Sequence, residues 1–378
     1  MVDTPCRPKT GRSAAAQFAC RAVYIHDEEA TGRGKQVRFV GQAGSELVAR
    51  ARAGDGTAFQ QLTEPYRREL HVHCYRMLGS FQDAEDAVQD TMLAAWHALG
   101  GYSEERAALR TWLYKIATNR CLNALRSIRR RSARGWDVPN VEPPEPTRLG
   151  EVVWLQPYPD DLLAGAAGGP ADPAARYEQA EAVSLAFVTA LQLLPPRQVA
   201  VLILRDVLGF HASEVADMLG STLESVTSAL KRARAGLQRR LPAAADRRLT
   251  PAAGSPAEVA VVAKFVSAWE SADLDALVAL LTDDVFVSMP PMPFEYVGRE
   301  VVARFCALLF DAGRRFDLVP TRANGQPALG VYLRAADGSR RGTGFYVLTL
   351  AGDRICAMTR FESSVLSWFG LPRSLPAR

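Results

Sequence analysis

No run of about 18 apolar residues, the length a membrane-spanning helix needs, occurs anywhere in the 378-residue sequence. Membranes are therefore not among the expected partners. Cysteine is sparse and scattered. Cys6, Cys20, Cys74, Cys121, Cys306 and Cys356 form no C-x-x-C pair, which speaks against a zinc ribbon or a disulfide framework and for free thiols in a reducing cytoplasm. Histidine is sparser still, with five in the chain. His71, His73 and Cys74 stand close together, but on a helix His71 and His73 point to different sides, and structural zinc takes about four ligands at fixed spacing. No metal and no cofactor is expected. Residues 1–44 lack the continuous apolar core of a secretory signal and read as a disordered extension or an over-extended start. Acids are missing from two long stretches, 106–131 and 225–245, and what fills those stretches is informative.

The composition, 48% hydrophobic and 23% charged, is that of a soluble globular chain of about two or three domains. The net charge of +4 is modest, so its distribution matters more than its sum. Residues 57–79 carry Phe59, Leu62, Tyr66, Leu70 and Cys74 at helical spacing, with Pro65 expected to kink or restart the helix. After Gly79-Ser80 a second helix, FQDAEDAVQDTMLAAWHAL, turns Ala84, Ala87, Val88, Thr91 and Ala95 inward. Its outer side is acidic: Asp83, Glu85, Asp86, Gln89 and Asp90, with no basic residue among them. Acids suit a helix start electrostatically, which accounts for the first turn but less well for Asp90. A third helix, LRTWLYKIATNRCLNALRSIRRR, buries Leu109, Leu113, Ile116, Ala117, Cys121, Ala124 and Ile128. Opposite lie Trp112, Lys115, Thr118, Asn119, Arg126, Arg129 and Arg130. Eight Lys/Arg and no acid fall within 106–131. A basic face with a stacking aromatic and amide side chains suits unpaired nucleic acid. A solvated basic helix with Trp112 partly packed is the other reading.

Prolines and glycines crowd residues 132–176 and mark a linker. Within it VVWLQPYPDDLL is apolar and aromatic and is expected to dock, either on this chain or on a partner. Helical pattern then resumes and leads into 213–234, SEVADMLGSTLESVTSALKRAR. Two short helices meet at a tight turn, Gly220-Ser221. On the second, Val226, Leu230, Ala233 and Leu237 form an apolar stripe, while Glu224, Ser225, Ser228, Lys231 and Arg232 lie opposite. The pattern describes a helix-turn-helix whose second helix suits the major groove. An ordinary bundle with a solvated basic face fits the same pattern. From Pro256 the pattern changes to helices followed by strands, with hairpin turns at Asn324-Gly325 and Asp337-Gly338. This predicts an α+β domain with a curved antiparallel sheet.

The segments DAEDAVQDTMLAAW, RTWLYKIATNRCLNALR and LPPRQVAVLILRDVLGFHASEVADMLGSTLESVTSALKRAR resemble regions 2 and 4 of bacterial extracytoplasmic-function (ECF) sigma factors of the sigma-70 family. WESADLDALVALLTDDVFVSMPP followed by YVGRE looks like a SnoaL/NTF2-like cone, and ANGQPAL at 323–329 is similar to the SigG and SigJ type. The resemblance implies a multidomain chain: two all-α sigma domains plus an α+β NTF2-like cone. The expected boundaries are region 2 at 45–131, a Pro-rich linker at 132–177, region 4 at 178–241, a short linker at 242–254 and the cone at 255–371. It further implies that Asp83, Glu85, Asp86, Gln89 and Asp90 meet the β′ clamp of core RNA polymerase, and that region 4 meets the β flap. Trp112, Lys115, Asn119, Asn123 and Arg126 would hold the melted promoter −10 element. Ser225, Thr227, Ser228, Lys231, Arg232 and Arg234 would read or clamp the duplex −35 element. Many ECF recognition helices carry Arg where this sequence has Thr227 and Ala229, so base readout here differs. Catalysis and Mg²⁺ would belong to the polymerase, not to this chain.

The cone implies an apolar pocket, for which Trp269, Phe286, Met289, Met292, Phe294, Tyr296, Phe305, Phe345 and Phe361 are candidates, most of them plain core. Asp283, Asp284, Glu295 and Glu300 sit at element ends, so no inward acid or base is evident. The domain is expected to regulate the sigma core, through an intramolecular contact or a small ligand. Two other function classes remain: a ligand-responsive helix-turn-helix regulator, and a SnoaL-like isomerase or cyclase fused to a DNA-binding region. The acidic helix and the Trp112 helix favour the sigma factor over the regulator, which needs neither, and the lack of an evident buried acid counts against the isomerase or cyclase.

Overall fold

The fold, a computed structural model, describes residues 42–128, 142–151, 154–163, 182–240, 250–335 and 337–376. Most of the N-terminal extension, parts of the long linker, Arg129 to Arg131 and most of the short second linker lie outside the described residues.

Four helices open the chain: α1 (Gln42–Arg52), α2 (Gly56–Leu78), α3 (Phe81–Ala98) and α4 (Leu109–Ile128). Their ends follow from local chemistry. Asp55 caps α2, and Ser80 caps α3 by accepting from the Asp83 N–H at 3.1 Å. Gly79 between them takes φ 72°, the left-handed conformation that ends a helix cheaply only at glycine. The helix does not restart at Pro65; α2 runs through it. Pro65 and Gln61, whose carbonyl loses its helical donor, are both exposed, so water can serve that carbonyl. The inward set on α3 is as the spacing predicts.

After a two-residue strand, β1 (Arg148–Leu149), and a single turn, α5 (Asp160–Leu163), come α6 (Leu185–Gln192) and α7 (Pro196–Leu202). A π turn (Ile203–Val207) then leads to α8 (Ala212–Leu219) and α9 (Leu223–Gln238). Thr222 caps α9 through the Ser225 N–H at 3.2 Å, and Gly220 closes α8 at φ 57°. This second helical group packs on the first, through α7 and α8 against α4. The buried arc of α4 is turned from the one its periodicity predicts: Tyr114, Thr118 and Leu125 are buried, whereas Ile116 and Ala124, expected inward, are half-buried. Thr118, expected outside, is fully buried and hydrogen-bonds His73 Nε2 at 2.9 Å.

The C-terminal domain comprises α10 (Pro256–Ser271), α11 (Leu274–Ala279), β2 (Leu281–Met289), β3 (Met292–Val297), α12 (Arg299–Asp311), β4 (Phe316–Ala323), β5 (Gln326–Arg334), β6 (Arg340–Ala351), β7 (Arg354–Phe361), a 3₁₀ turn (Ser363–Phe369) and β8 (Ser374–Leu375). The sheet runs β1-β3-β2-β7-β6-β5-β4, with β8 on β6. It is mixed rather than antiparallel, because β2 pairs β7 in parallel. Strand β3 had no clear signal, and β1 is borrowed from the linker. Alternation along the strands splits the apolar side chains between two cores. Trp269, Met289, Met292, Tyr296, Phe305 and Tyr346 fill the cone. Phe345 and Phe361 point the other way and join the core continuous with the helical part. Of the nine pocket candidates, these two are therefore on the wrong face, and Phe286, half-buried between the inward Val285 and Val287, belongs to neither core.

Candidate polymerase and nucleic-acid interfaces

The acidic residues of α3 divide by exposure. Asp86, Gln89 and Asp90 are exposed, while Asp83 in the first turn and Glu85 just after it are half-buried. Glu85 lies 3.4 Å from His71 Nε2. Leu93, one turn beyond Gln89, is 56% exposed and adds an apolar element to this face. Sequence reasoning missed it, since a lone leucine carries no signal.

On α4, Lys115, Asn119, Asn123 and Arg126 are exposed along one side. Asn119 donates to the Lys115 carbonyl at 2.9 Å, and Arg126 donates to Asn123 Oδ1 at 3.1 Å. Trp112 begins the row, half-buried, its ring 4.9 Å from that of Tyr102 and tilted by 38°. One face of the indole is thus supported from behind, as a stacking platform requires. A few ångströms around the helix, Arg110 pairs with Glu69 at 3.1 Å and lies over the rings of Tyr114 and Phe210, 4.8 and 5.2 Å from their centroids. Phe210 belongs to the segment entering α8, so this stack is where the two helical groups join.

On α9, Ser225, Thr227, Ser228, Lys231 and Arg232 are exposed in a stripe opposite the buried Val226, Leu230, Ala233 and Leu237. Ala229 is buried, so of the two departures from the Arg pattern only Thr227 lies on the open face. Arg234 is set apart from this stripe, its side chain 27% exposed and turned toward the protein. Its guanidinium makes two bonds to Asp206, at 2.9 and 2.8 Å, and the Asp206 side chain is 4% exposed. Arg234 sits only about 40° around the helix from Leu230, close enough to the inner stripe to be drawn inward. It ties α9 to the π turn.

The linker segment from Trp154 to Leu163 docks on this chain. Leu155 is 6% exposed and Tyr158 fully buried. Gln156 inserts at the start of α3: its N–H donates to the Gly79 carbonyl at 2.9 Å, and its Oε1 accepts from Ser80 Oγ at 2.8 Å and the Gln82 N–H at 3.0 Å. The Tyr158 hydroxyl lies 2.9 Å from His71 Nδ1. From the other side the C-terminal domain reaches in with Asn324. Its Oδ1 accepts from the Tyr158 N–H at 2.8 Å, and its Nδ2 donates to the Tyr75 hydroxyl at 2.7 Å and the Val183 carbonyl at 2.6 Å. Beside it, Arg322 pairs with Asp160 at 3.2 Å and with buried Glu258. Burial pushes the Asp160 carboxyl up, against the pull of the Gly325 N–H and Arg322. Asn-Gly at 324–325 was legible as a turn, since Asn tolerates the φ of 58° found here. That the same side chain joins all three parts of the chain was not. Among the described residues no group of three or more His, Cys, Asp or Glu could hold a metal ion, and no helix is long and apolar enough to cross a membrane.

Residues 62–131 match the model for Sigma-70 region 2, 184–237 that for Sigma-70, region 4, and 262–358 that for a SnoaL-like domain. Over 378 residues the sequence is 40% identical to the ECF RNA polymerase sigma factor SigG of Mycobacterium tuberculosis (strain ATCC 25618 / H37Rv), with 98% of each chain covered. It is 34% identical over 200 residues to the ECF RNA polymerase sigma factor SigM of Mycobacterium tuberculosis (strain ATCC 35801 / TMC 107 / Erdman), covering 53% of this chain and 85% of that one. Among solved structures, that of the Mycobacterium tuberculosis extracytoplasmic function sigma factor SigJ aligns over 83% of this chain and 99% of that one. The TM-score is 0.51 and the identity 22%, so this likeness is one of fold.

Proposed function

As this chain belongs to the ECF family of RNA polymerase sigma factors, we propose that it is a promoter-specificity subunit with a built-in regulatory domain. Region 2 occupies 45–131, region 4 occupies 178–241 and the SnoaL-like domain occupies 255–371. The observation that carries the reading is the opposition of two neighbouring helix faces: Asp86, Gln89 and Asp90 on α3, and Trp112, Lys115, Asn119, Asn123 and Arg126 on α4. One surface suits a basic protein partner, the β′ clamp. The other suits unpaired bases, whose extrusion costs a few kcal/mol and is offset by stacking on the indole and by hydrogen bonds. Ser225, Thr227, Ser228, Lys231 and Arg232 meet the −35 duplex, and region 4 takes the β flap. The chain acts with the polymerase in the cytoplasm and performs no chemistry of its own.

The −35 and −10 elements are 25 base pairs apart by their labels, about 85 Å at roughly 3.4 Å per pair. Region 4 lies directly against region 2 through Phe210 and Tyr114, rings 5.3 Å apart. Reading both elements at once requires that contact to open. The linker, held by Asn324 and by β3, must leave its place when the two regions separate, which gives the C-terminal domain its regulatory hold. The test is run-off transcription from genomic DNA with core polymerase and the full chain. Transcripts that start at a shared promoter pattern are expected, and their loss when Asp86 and Asp90 are reversed in charge. A chain that fails to associate with core polymerase overturns the proposal.

A further inference from the structure

Leu223 is the first residue of α9, directly after the Thr222 cap, and is 55% exposed. It joins neither apolar core, so packing does not account for it. A single exposed leucine is ordinary on a protein surface; the setting of this one is not. In a helix-turn-helix the first turns of the second helix are the part that meets base edges. Four residues on, exposed Thr227 lies about 40° round the helix from Leu223, and exposed Lys231 continues the row after a second such step. Glu224, the acid of the first turn, points about 100° away from Leu223. The Thr227 hydroxyl donates to the Leu223 carbonyl at 3.0 Å. Its only proton is thereby committed to the helix backbone, which leaves the methyl as the distinctive group it offers outward. A leucine and a threonine methyl thus stand together at the leading end of the helix, with Ser228, Lys231 and Arg232 exposed beside them.

Base edges differ in what they offer such a pair. In the major groove only thymine presents a methyl group, whereas guanine presents two acceptors that an arginine reads. We propose that Leu223 and the Thr227 methyl together read thymine in the −35 duplex, closing on its C5-methyl at the place where an arginine at 227 would read guanine. The contact removes apolar surface from water on both sides, while Lys231 and Arg232 take the neighbouring phosphates and fix the register. Leu223 and Thr227 are about 6 Å apart along the helix axis. With base pairs stacked about 3.4 Å apart, they cover one pair or two neighbours. This rests on the reading of region 4 as the part that meets the −35 element.

The full chain with core polymerase is given promoter templates in which each −35 thymine in turn, on either strand, is replaced by deoxyuridine. That base keeps the pairing and lacks only the methyl. Run-off is measured below saturation. One thymine, or two neighbours, should lose about fourfold, the factor that burying one methyl group is worth, and the others should be indifferent. In Leu223→Ala the difference between thymine and uracil should vanish. Thr227→Ser, which keeps the hydroxyl and removes the methyl, should shrink it, and Thr227→Arg should move the preference at the same pair from thymine to guanine. Leu223 and Thr227 are both exposed, and the comparison is made within each variant, so a general loss of output does not confound it. Indifference to uracil at every −35 thymine overturns the proposal, as does an equal loss at all of them. A Leu223→Ala chain that keeps the full uracil effect overturns it too, and if its output drops on every template the leucine touches protein instead. Where no promoter-specific transcript forms, the promoter reading fails and takes this inference with it. Where such transcripts form and ignore the methyl, only this inference fails.

Discussion

The side-chain amide of Asn324, in the turn between β4 and β5, donates to the hydroxyl of Tyr75 in α2 at 2.7 Å, across 249 residues of sequence. Both residues are fully buried. With Tyr158 and Val183 they form a junction at which the SnoaL-like domain, the linker, region 2 and the entry to region 4 meet. An amide is suited to this place because it accepts from one backbone and donates to two oxygens at once.

Replacing Asn324 should loosen the junction without unfolding the domains. Asn324→Gly keeps the left-handed backbone and deletes three hydrogen bonds, at about 1–3 kcal/mol for each buried group left unpaired. Asn324→Asp keeps the shape but sets a carboxylate oxygen against the Val183 carbonyl. Both variants should show faster amide hydrogen exchange in 154–163 and 182–185, with exchange in α10 and α12 unchanged.

Charge reversal on the acidic helix separates binding from folding. Asp86→Lys with Asp90→Lys is expected to weaken association with core polymerase by tenfold or more in a pull-down or titration. Both positions are exposed, so stability should move by less than about 0.5 kcal/mol per site. Equal losses in Tm and in binding would contradict the assignment.

Arg234 and Lys231 are three residues apart and should behave differently. Arg234→Gln leaves the buried Asp206 carboxylate without its bidentate partner, a loss of about 3–5 kcal/mol, seen in denaturant unfolding. Lys231→Gln should leave stability intact, weaken binding to −35 duplex uniformly across sequences, and lower the salt slope by about 1.

Acid should destabilise region 2 through its buried histidines. Burial lowers His71 below its ordinary value, and lowers His73 to about 3, so His73 is neutral in the folded chain at pH 6. Unfolded histidine titrates near 6.5. Between the folded and unfolded values the unfolded chain binds more protons, so stability is fully present above about 6.5 and falls as pH drops below it. Each neutral histidine contributes a slope of up to about 1.4 kcal/mol per pH unit. Unfolding free energies at pH 7, 6 and 5 should decline accordingly, and His73→Gln should flatten the decline.

Much of this protein is written locally. Ser80 and Thr222 announce the helices they cap, because a side-chain oxygen there meets backbone donors two or three residues on. The spacing of Val226, Leu230, Ala233 and Leu237 fixes which side of α9 is outward, and the acids of α3 and bases of α4 separate for the same reason. Those facts depend on angles within one element, which the order of residues determines by itself. What covers each face depends on segments far away in the chain. Thr118 is buried because His73 of α2 meets it, Arg234 turns inward because Asp206 waits in the π turn, and β2 runs parallel to β7 because the sheet closes across some seventy residues. Gln156, Tyr158 and Asn324 are ordinary linker and turn residues until the tertiary structure brings their hydrogen-bonding groups together in a place without water, where each must find a partner.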